Sequence, residues 1–344
     1  KSWRPRSRVR IFVTGGAGYI GSHCVLDLLE AGHEVTSFDN YSNSSPLSLS
    51  RAAELAGRAA RAVEGDVRDR ESLRRALGEG RFDAVIHFAG LKAVGESVEK
   101  PMLYVENNIV GSANLLAAMM DAGCRKLVFS SSCTVYGMPE KNPLDESHPR
   151  RALNPYGRSK LVIEDMCLDL AAAEPGWRIA LLRYFNPVGA HESGRIGEDP
   201  RGVPNNLMPI LMQTAAGRRP QVSVWGSDYP TPDGTGVRDY IHILDLVSAH
   251  RRAVERIDSF SGAEALNLGT GRGYSVLEML AAASKAVGKP IPYALASRRA
   301  GDTAAIWADP GLAARKLGWK AELGIERMVE DHWRWQKNNP EGYR

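Results

Sequence analysis

The first half of the chain alternates short apolar runs with longer amphipathic stretches, and this rhythm restricts the folds open to it. Strands that alternate with helices usually form a parallel sheet with helices on both faces. The predicted strands are 10–14, 34–39, 62–64, 83–88, 126–131 and 178–183. The predicted helices are 20–31, 71–77, 101–121 and 156–173. The sequence therefore predicts an α/β fold with a Rossmann-like, doubly wound parallel sheet.

Beyond Arg183 this alternation stops, and glycine and proline become frequent. Later helices are predicted at 207–216, 244–256, 276–286 and 325–336. We interpret 10–185 as a dinucleotide-binding domain, to which a segment near 237–268 returns, and 186–344 as a smaller α/β substrate lobe. Open α/β sheets bind ligands in a crevice at the carboxyl ends of their strands, so the lobe is expected to cover that crevice.

Composition and charge exclude several classes of protein. The 344 residues are 43% hydrophobic and 24% charged, which is typical of a globular chain. No apolar run reaches the ~18 residues of a membrane span, and no apolar signal segment follows the basic start. We interpret the basic opening, 1–10, as a solvated tail rather than a nucleic-acid arm. Cys24, Cys124, Cys133 and Cys167 form no metal-like cluster, so we expect no metal and a cytoplasmic protein with reduced thiols.

A glycine-rich turn joins the first predicted strand to the first predicted helix. Gly15, Gly18 and Gly21 have the spacing that lets backbone N–H groups approach a pyrophosphate, although such a string is also found in flexible turns. Asp39 ends the next strand, where a carboxylate accepts hydrogen bonds from a ribose and repels a 2′-phosphate. The pattern therefore predicts NAD rather than NADP. Asp66, after the third strand, either flanks the adenine or serves as a turn acid or helix N-cap.

Tyr156 and Lys160 are four residues apart, on one face of a predicted helix. A tyrosine has a pKa near ~10, so it acts as a base at neutral pH only beside positive charge. Lys160 and the cationic ring of NAD⁺ would supply that charge. Ser132, at the end of a predicted strand, either hydrogen-bonds the phenol and the reacting oxygen or satisfies nearby backbone groups.

Further stretches resemble one enzyme family in the same order along the chain. They are 87–97 (HFAGLKAVGES), 129–137 (FSSSCTVYG), 154–160 (NPYGRSK), 183–190 (RYFNPVGA), 204–209 (PNNLMP) and 234–242 (GTGVRDYIH). On these residues the chain resembles the extended short-chain dehydrogenase/reductases and, within them, the UDP-glucose (UDP-galactose) 4-epimerases. The resemblance extends from about residue 10 to Trp333-Arg334-Trp335-Gln336.

The resemblance implies particular site residues, with Ser132, Tyr156 and Lys160 as the catalytic trio. Around NAD it places Gly15, Gly18, Tyr19, Ile20, Gly21, Asp39, Asn40, Asp66, Val67, Phe88, Ala89, Lys92, Asn107, Tyr156, Lys160 and Tyr184. Around the UDP-hexose it places Lys92, Ser132, Tyr156, Phe185, Asn186, Asn206, Leu207, Arg238, Tyr240, Arg299, Asp302 and Ile306. Guanidinium groups suit the diphosphate, whereas without the resemblance both arginines would be taken as surface residues.

The resemblance also implies a reaction and an assembly. The reaction is reversible 4-epimerisation of UDP-glucose and UDP-galactose through a transient 4-keto sugar, with a hydride passed to bound NAD and returned. The assembly is a homodimer that forms through 101–121 and 156–173. Neither a nucleic acid nor a membrane is expected as a partner.

The sequence leaves alternatives to this reaction and to these substrates within the same fold. A 4,6-dehydratase needs acids beside the tyrosine, and Ser132-Cys133-Thr134 supplies none. Enzymes of UDP-sugar acids share the trio and are less easily dismissed. A catalytically silent NAD sensor of the same fold is a further alternative, and the intact trio weighs against it. Ile306 is either an ordinary buried residue or a pocket residue that admits UDP-galactose and UDP-glucose but disfavours N-acetylated sugars. UDP-pentoses remain open as further substrates.

Overall fold

A seven-stranded parallel sheet forms the centre of the computed structural model, which describes residues 8–202, 204–299 and 301–344. With strands numbered in chain order, the sheet contains β1 (Arg10–Thr14), β2 (Glu34–Asp39), β3 (Arg61–Glu64), β4 (Ala84–His87), β5 (Lys126–Ser132), β6 (Arg178–Tyr184) and β11 (Gly262–Leu268). Their order across the sheet is β11-β6-β5-β4-β1-β2-β3. The order reverses between β1 and β4, so a crevice opens at the carboxyl ends of these two strands.

Helices cover both faces of this sheet. They are α1 (Tyr19–Glu30), α2 (Pro46–Ala56), α3 (Arg70–Gly78), α4 (Val94–Glu99), α5 (Pro101–Tyr104), α6 (Gly111–Asp121), α7 (Pro155–Ala173) and α9 (Ile243–Glu255). Successive strand residues point to opposite faces, so Ile11 and Val13 pack in one apolar cluster and Phe12 in another. The sheet therefore separates two buried cores, and the predicted fold class is confirmed.

Shorter elements follow β6. The helices are α8 (Leu207–Ala215), α10 (Val276–Val287), α11 (Gly311–Leu317) and α12 (Ile325–Asn338). The strands are β7 (Asn186–Val188), β8 (Val222–Trp225), β9 (Val237–Arg238), β10 (Tyr240–His242), β12 (Tyr274–Ser275), β13 (Tyr293–Ala296) and β14 (Ala305–Ile306). They form three small sheets, β10-β7, β12-β9-β14 and β13-β8. Since β7 begins two residues after β6 ends, these elements start at the carboxyl edge of the large sheet.

The sequence predictions differ from the structure in a few elements. The predicted helix 101–121 is interrupted by a π-helical turn, Val105–Val110, and α2, α4 and α11 were not predicted. Short 3₁₀ turns, Cys133–Val135 and Ile257–Ser259, follow β5 and α9. The predicted basic tail falls largely on residues 1–7, which lie outside the described residues. None of the described helices combines the length and apolar character that a bilayer crossing requires.

Candidate active site

Gly15 forms the turn between β1 and α1 in a left-handed conformation, with a φ of +69°. A Cβ atom on Gly15 would lie 2.6 Å from the backbone nitrogen of Ala89, in the loop after β4. A Cβ atom on Gly21 would lie 2.1 Å from the carbonyl oxygen of Gly15. Neither position therefore accepts a side chain. The first N–H groups of a helix have no intrahelical partner, and Gly18, which precedes α1, has no side chain that could cap them.

Asp39 ends β2 beside this turn. Its Oδ2 accepts a hydrogen bond from the N–H of Ala17 at 2.9 Å, and its Oδ1 accepts from the N–H of Tyr41 and the Ser44 hydroxyl, both at 2.9 Å. These three donors fix the carboxylate, which can accept about four hydrogen bonds in all. Asp39 thus keeps the capacity to bind one ribose hydroxyl at the glycine turn.

Asp66 lies one strand further along the same edge. The Arg68 guanidinium donates to both oxygens of Asp66, from 3.0 and 2.7 Å, and Asn40 Nδ2 donates from 2.9 Å. The hydrogen bonds from Arg68 hold the pKa of Asp66 well below its usual range. Asp66 also accepts from the N–H of Arg68 at 2.8 Å, so it is a turn acid. The N-cap of α3 is Asp69, and the interpretation of Asp66 as that cap is wrong. Val67, the next residue, is buried.

The loop after β4 meets the glycine turn from the other side. The Phe88 ring lies 4.9 Å from that of His250 on α9, and the N–H of Ala89 donates to the Thr14 hydroxyl at 3.4 Å. The Lys92 ammonium lies 5.8 Å from the ring centre of Tyr19, which begins α1 ahead of Ile20. These predicted cofactor residues are therefore brought together.

The π-helical turn carries Asn107, a predicted cofactor residue, and Asn108, which the sequence analysis missed. Asn108 is buried; its Oδ1 accepts from the N–H of Leu91 at 2.8 Å, and its Nδ2 donates to Ser159 Oγ on α7 at 3.1 Å. Asn107 donates to Asn108 Oδ1 at 3.0 Å. Asn108 thus ties the loop after β4 to the helix of Tyr156. An amide side chain within a helical pattern was its only signal.

Helix α7 begins where its capping residues require. Asn154 Oδ1 accepts from the N–H of Gly157 at 2.8 Å, and Pro155 is the first helical residue. This places Tyr156 in the first turn and Lys160 one turn later. The Lys160 ammonium is buried and donates to the carbonyl oxygen of Ser130 on β5 at 2.6 Å.

Ser132 ends β5 beside Tyr156. Its Oγ accepts from the Thr134 N–H at 3.2 Å and from the Thr134 hydroxyl at 2.9 Å, so the role as a satisfier of nearby backbone groups is present. The Ser132 hydroxyl also lowers the pKa of the Tyr156 phenol.

Burial controls the protonation of the tyrosine and the lysine. It raises the pKa of Tyr156 to about 12, against a smaller lowering by the Ser132 hydroxyl. It lowers the pKa of Lys160 to about 8, against the opposing charge of Glu164. The protein groups alone therefore keep Tyr156 protonated at neutral pH. A further positive charge, such as the oxidised nicotinamide ring invoked from the sequence, is needed to make it a base.

A buried ion pair behind the trio fixes α7 to the sheet. Arg183 donates to Glu164 through Nε at 2.8 Å and Nη2 at 2.6 Å, and Ser131 Oγ donates to the same carboxylate at 2.6 Å. Glu164 lies one helical turn beyond Lys160, on the same face. The sequence analysis missed this role of Glu164, although its spacing from Lys160 was visible.

The predicted phosphate-binding arginines share one carboxylate. Arg299 Nε donates to Asp302 Oδ2 at 3.0 Å, and Arg238 Nη2 on β9 lies 3.9 Å from Asp302 Oδ1. Each guanidinium has five donors, so most remain for another anion. The Arg299 guanidinium also lies 6.0 Å from the ring centre of Trp225, which is 43% exposed. Trp225 was missed, because a single tryptophan on a short strand has no distinctive spacing.

Ile306 lies beside Arg238 and beside Cys133, the residue after Ser132. On β14 it is paired with Arg238 of β9, and it packs in an apolar cluster with Cys133 and Phe185. It is therefore a buried strand residue that also borders the catalytic serine segment. Both interpretations made from the sequence are compatible with this position.

The remaining predicted substrate residues lie on neighbouring elements. Asn186 begins β7 opposite the buried Tyr240 of β10. Asn206 directly precedes Leu207, the first residue of α8, and its Nδ2 donates to Glu198 Oε1 at 3.3 Å. Tyr184, predicted on the cofactor side, ends β6 with its ring 5.3 Å from that of His250.

These features fit the dinucleotide predicted from the sequence. The side-chain-free turn, the uncapped start of α1 and the fixed carboxylate of Asp39 suit a pyrophosphate and a ribose. When bound, the nicotinamide ring accepts a hydride and returns it. Among the described residues, no group of three or more His, Cys, Asp or Glu side chains is placed to hold a metal ion.

The fold and this site define an NAD-dependent member of the α/β enzymes. The chain belongs to the NAD-dependent epimerase/dehydratase family, which matches residues 11–269. It is 57% identical to UDP-glucose 4-epimerase 2 of Arabidopsis thaliana over 97% of this chain and 96% of that protein. These findings confirm the family predicted from the sequence.

Solved structures agree with this assignment. The UDP-glucose 4-epimerase of Bifidobacterium longum, in complex with NAD⁺ and UDP, is 51% identical with a TM-score of 0.94, over 97% of this chain and 99% of that chain. The enzyme of Stenotrophomonas maltophila, with bound NAD and formylated UDP-arabinopyranose, is 48% identical with a TM-score of 0.95, over 97% and 99%.

Proposed function

We propose that this chain is an NAD-dependent UDP-glucose 4-epimerase that interconverts UDP-glucose and UDP-galactose. The observation that carries the proposal is the position of Tyr156. It lies in the first turn of α7, one helical turn before the buried Lys160, and the hydroxyl of Ser132 at the end of β5 lowers its pKa. The function predicted from the sequence agrees with the relatives that share this chain's full length.

Each group then has a defined task in the reaction. Tyr156 takes the proton of the C4 hydroxyl as C4 loses its hydride, and Ser132 orients that hydroxyl. Lys160 supplies positive charge to the phenolate. Arg238 and Arg299 hold the diphosphate while the 4-keto sugar turns its other face. C4 would then regain the hydride from the bound cofactor, and Tyr156 returns the proton. Trp225 offers an aromatic face to the uracil beside those arginines.

The first test is turnover without added cofactor. Purified protein is incubated with UDP-galactose, and UDP-glucose is followed by chromatography. Conversion is expected, because an enzyme that regenerates its NAD in each turnover keeps the cofactor bound. No conversion, even after NAD⁺ is added, would refute the epimerase and direct attention to UDP-sugar acids or a silent NAD sensor.

Substrate breadth is the second part of the proposal. Ile306 offers no hydroxyl, and its branched side chain fills space beside Cys133 and Phe185. UDP-glucose and UDP-galactose are therefore accepted and their N-acetylated counterparts disfavoured, and Ile306→Ser should improve turnover of UDP-N-acetylgalactosamine. An unchanged ratio of the two activities would show that Ile306 is only a core residue. UDP-pentoses lack C6 and are smaller, so the same assay should include them as further candidate substrates.

The assembly we propose is a homodimer. Support comes from exposed apolar side chains on α4, α5, the π-helical turn and α7, namely Val98, Met102, Val110, Val162 and Leu168. Met102→Glu should yield monomers in analytical ultracentrifugation. Leu295→Glu, an exposed apolar residue on β13, is the matched control and should leave the dimer intact. A wild-type monomer would refute the dimer.

The division of the chain and its location complete the proposal. Residues 10–185 together with 237–268 form the cofactor domain, and the rest from 186 forms the substrate lobe. Support comes from β11, which pairs with β6 along its full length, and from α9, which shares an apolar cluster with α1. A cytoplasmic location agrees with the four buried, unpaired cysteines.

A further inference from the structure

Glu198 is a buried carboxylate that none of the site predictions included. It lies in the loop between β7 and α8, and its side chain is only 4% exposed. Its Oε1 accepts from the Lys92 ammonium at 3.0 Å and from Asn206 Nδ2 at 3.3 Å. A single oxygen atom therefore contacts two residues of the predicted site.

Those two residues reach Glu198 from opposite sides of the crevice, and Lys92 is predicted in both the cofactor set and the substrate set. Lys92 follows β4, and its ammonium faces the ring of Tyr19 at the start of α1. Asn206 directly precedes α8 among the predicted substrate residues. Lys92 and Asn206 come from separate parts of the chain, and the Glu198 carboxylate connects them.

The backbone around Glu198 is held firmly. Trp335 Nε1 on α12 donates to the carbonyl oxygen of Glu198 at 3.1 Å, and the N–H of Gly197 donates to the Tyr343 hydroxyl at 3.0 Å. A Cβ atom on Gly197 would lie 2.3 Å from Cγ of Trp335, so this backbone is pressed against the indole. Trp335 and Tyr343 thereby fix the position of the Glu198 backbone relative to Lys92 and Asn206.

The other oxygen of Glu198 argues against a role in fold stability. Oε2 is buried and has no hydrogen-bond partner among the described residues. A buried carboxylate oxygen without a partner costs free energy of folding, so its presence in a native structure calls for an explanation other than stability. Glu198 is therefore better explained by what it holds than by what it adds to folding.

We propose that Glu198 is a positioning residue that couples the two sides of the crevice by holding Lys92 toward the cofactor and Asn206 toward the UDP-sugar. The inference rests on the proposed function. Loss of the charge should weaken both binding events together, although Glu198 itself belongs to neither predicted contact set.

The test uses Glu198→Gln in the 344-residue chain and measures binding rather than turnover. UDP affinity is measured by calorimetry, and NAD retention by the rate at which cofactor appears in the dialysate. Each is expected to weaken about tenfold, because the oxygen that accepts from Lys92 and Asn206 loses its negative charge and both hydrogen bonds become weaker. The melting temperature should not fall, since the buried charge is gone. Glu192→Gln, in the same loop but exposed and paired with Arg327, is the matched control and should change neither.

Double variants separate positioning from general damage. Lys92→Met combined with Glu198→Gln should release NAD no faster than the worse single variant. Asn206→Ala combined with Glu198→Gln should likewise bind UDP no more weakly than the worse single variant. Losses that multiply, or a Glu198→Gln protein that binds like the wild type, would overturn the inference alone. A wild type that binds neither NAD nor UDP would overturn the proposed function and this inference with it.

Discussion

The two sides of the crevice are built by different means. On the cofactor side, Gly15, Asp39 and Ala89 stand at the ends of strands in one sheet, and hydrogen bonds between backbone groups and short side chains fix them. On the substrate side, Arg238 and Arg299 come from a two-residue strand and a loop, and Asp302 pairs with both. The first side offers backbone to its ligand, whereas the second offers long side chains.

This difference has a consequence for mutation. A site made of backbone in close contact cannot absorb an added atom, because the neighbours are main chain and cannot rotate away. A site made of long side chains loses one interaction at a time, and the rest of the fold is unaffected. In the proposed reaction Tyr156 belongs to both sides, since it takes the proton of the sugar and needs the positive charge of the cofactor. Variants of these three kinds should therefore fail in distinct ways.

The largest effect is expected for Tyr156→Phe, which removes the only proposed proton carrier. Turnover of UDP-galactose should fall by about 10²- to 10⁴-fold, the range of general acid–base catalysis. Bound NAD and UDP affinity should stay near wild type. Tyr229→Phe is the control, because the Tyr229 hydroxyl is buried and makes no hydrogen bond among the described residues. Near-normal turnover in Tyr156→Phe would mean that another group is the base.

The next effect tests the backbone-built side. Gly15→Ala and Gly32→Ala both place a side chain at positive φ, at a cost of about 1–2 kcal/mol each. Only at Gly15 does the added Cβ meet the backbone of Ala89, since nothing lies within 4 Å of it at Gly32. Gly15→Ala should therefore lose bound NAD, while Gly32→Ala keeps it. The NAD content is measured as the cofactor that heat denaturation releases from the purified protein. Equal NAD contents would show that the turn has room to spare.

A smaller effect, confined to the substrate side of the crevice, is expected for Arg299→Ala. UDP affinity should fall about tenfold, the value of a hydrogen bond between charged groups, with NAD content unchanged. Arg298→Ala is the matched control, because the neighbouring Arg298 pairs with Asp228 and stacks on Tyr229. If Arg298→Ala weakened UDP binding as much, the effect would come from overall charge.

The sequence predicted the backbone-built side in more detail than the other. Strands β1 and β2 were predicted to the residue, because apolar runs and glycine spacing are local patterns that the sheet requires. The helix of Tyr156 was predicted within one residue of its start for the same reason.

The residues that sequence analysis missed depend on contacts between distant segments. Glu198 meets Lys92 across 106 positions, and Asn108 meets Ser159 across 51. Neither contact leaves a periodic trace in the chain, so the pairing becomes visible only when the topology brings the segments together. The π-helical turn was missed because its extra residue hardly disturbs helical spacing.

The smallest effect distinguishes two buried histidines, one from each side. Burial lowers the pKa of His87, at the end of β4, to about 3, and that of His332, on α12, to about 4. Both are neutral when folded and gain a proton near pH 6.5 when unfolded, so their stabilisation is complete above pH 6.5 and is lost as pH falls toward 4. His87 bonds Thr14 at 2.6 Å and Ser112 at 2.8 Å, whereas Nδ1 of His332 has no partner among the described residues.

Replacement should therefore separate the two. His332→Gln should keep the free energy of unfolding at its wild-type value at pH 8. Between pH 6.5 and 5 the slope of that free energy against pH should decrease by at most about 1.4 kcal/mol per pH unit, measured from urea midpoints. His87→Gln should flatten the same curve but also lower it at pH 8, because two buried hydrogen bonds are broken. Parallel curves for wild type and His332→Gln would mean that His332 takes up its proton without unfolding.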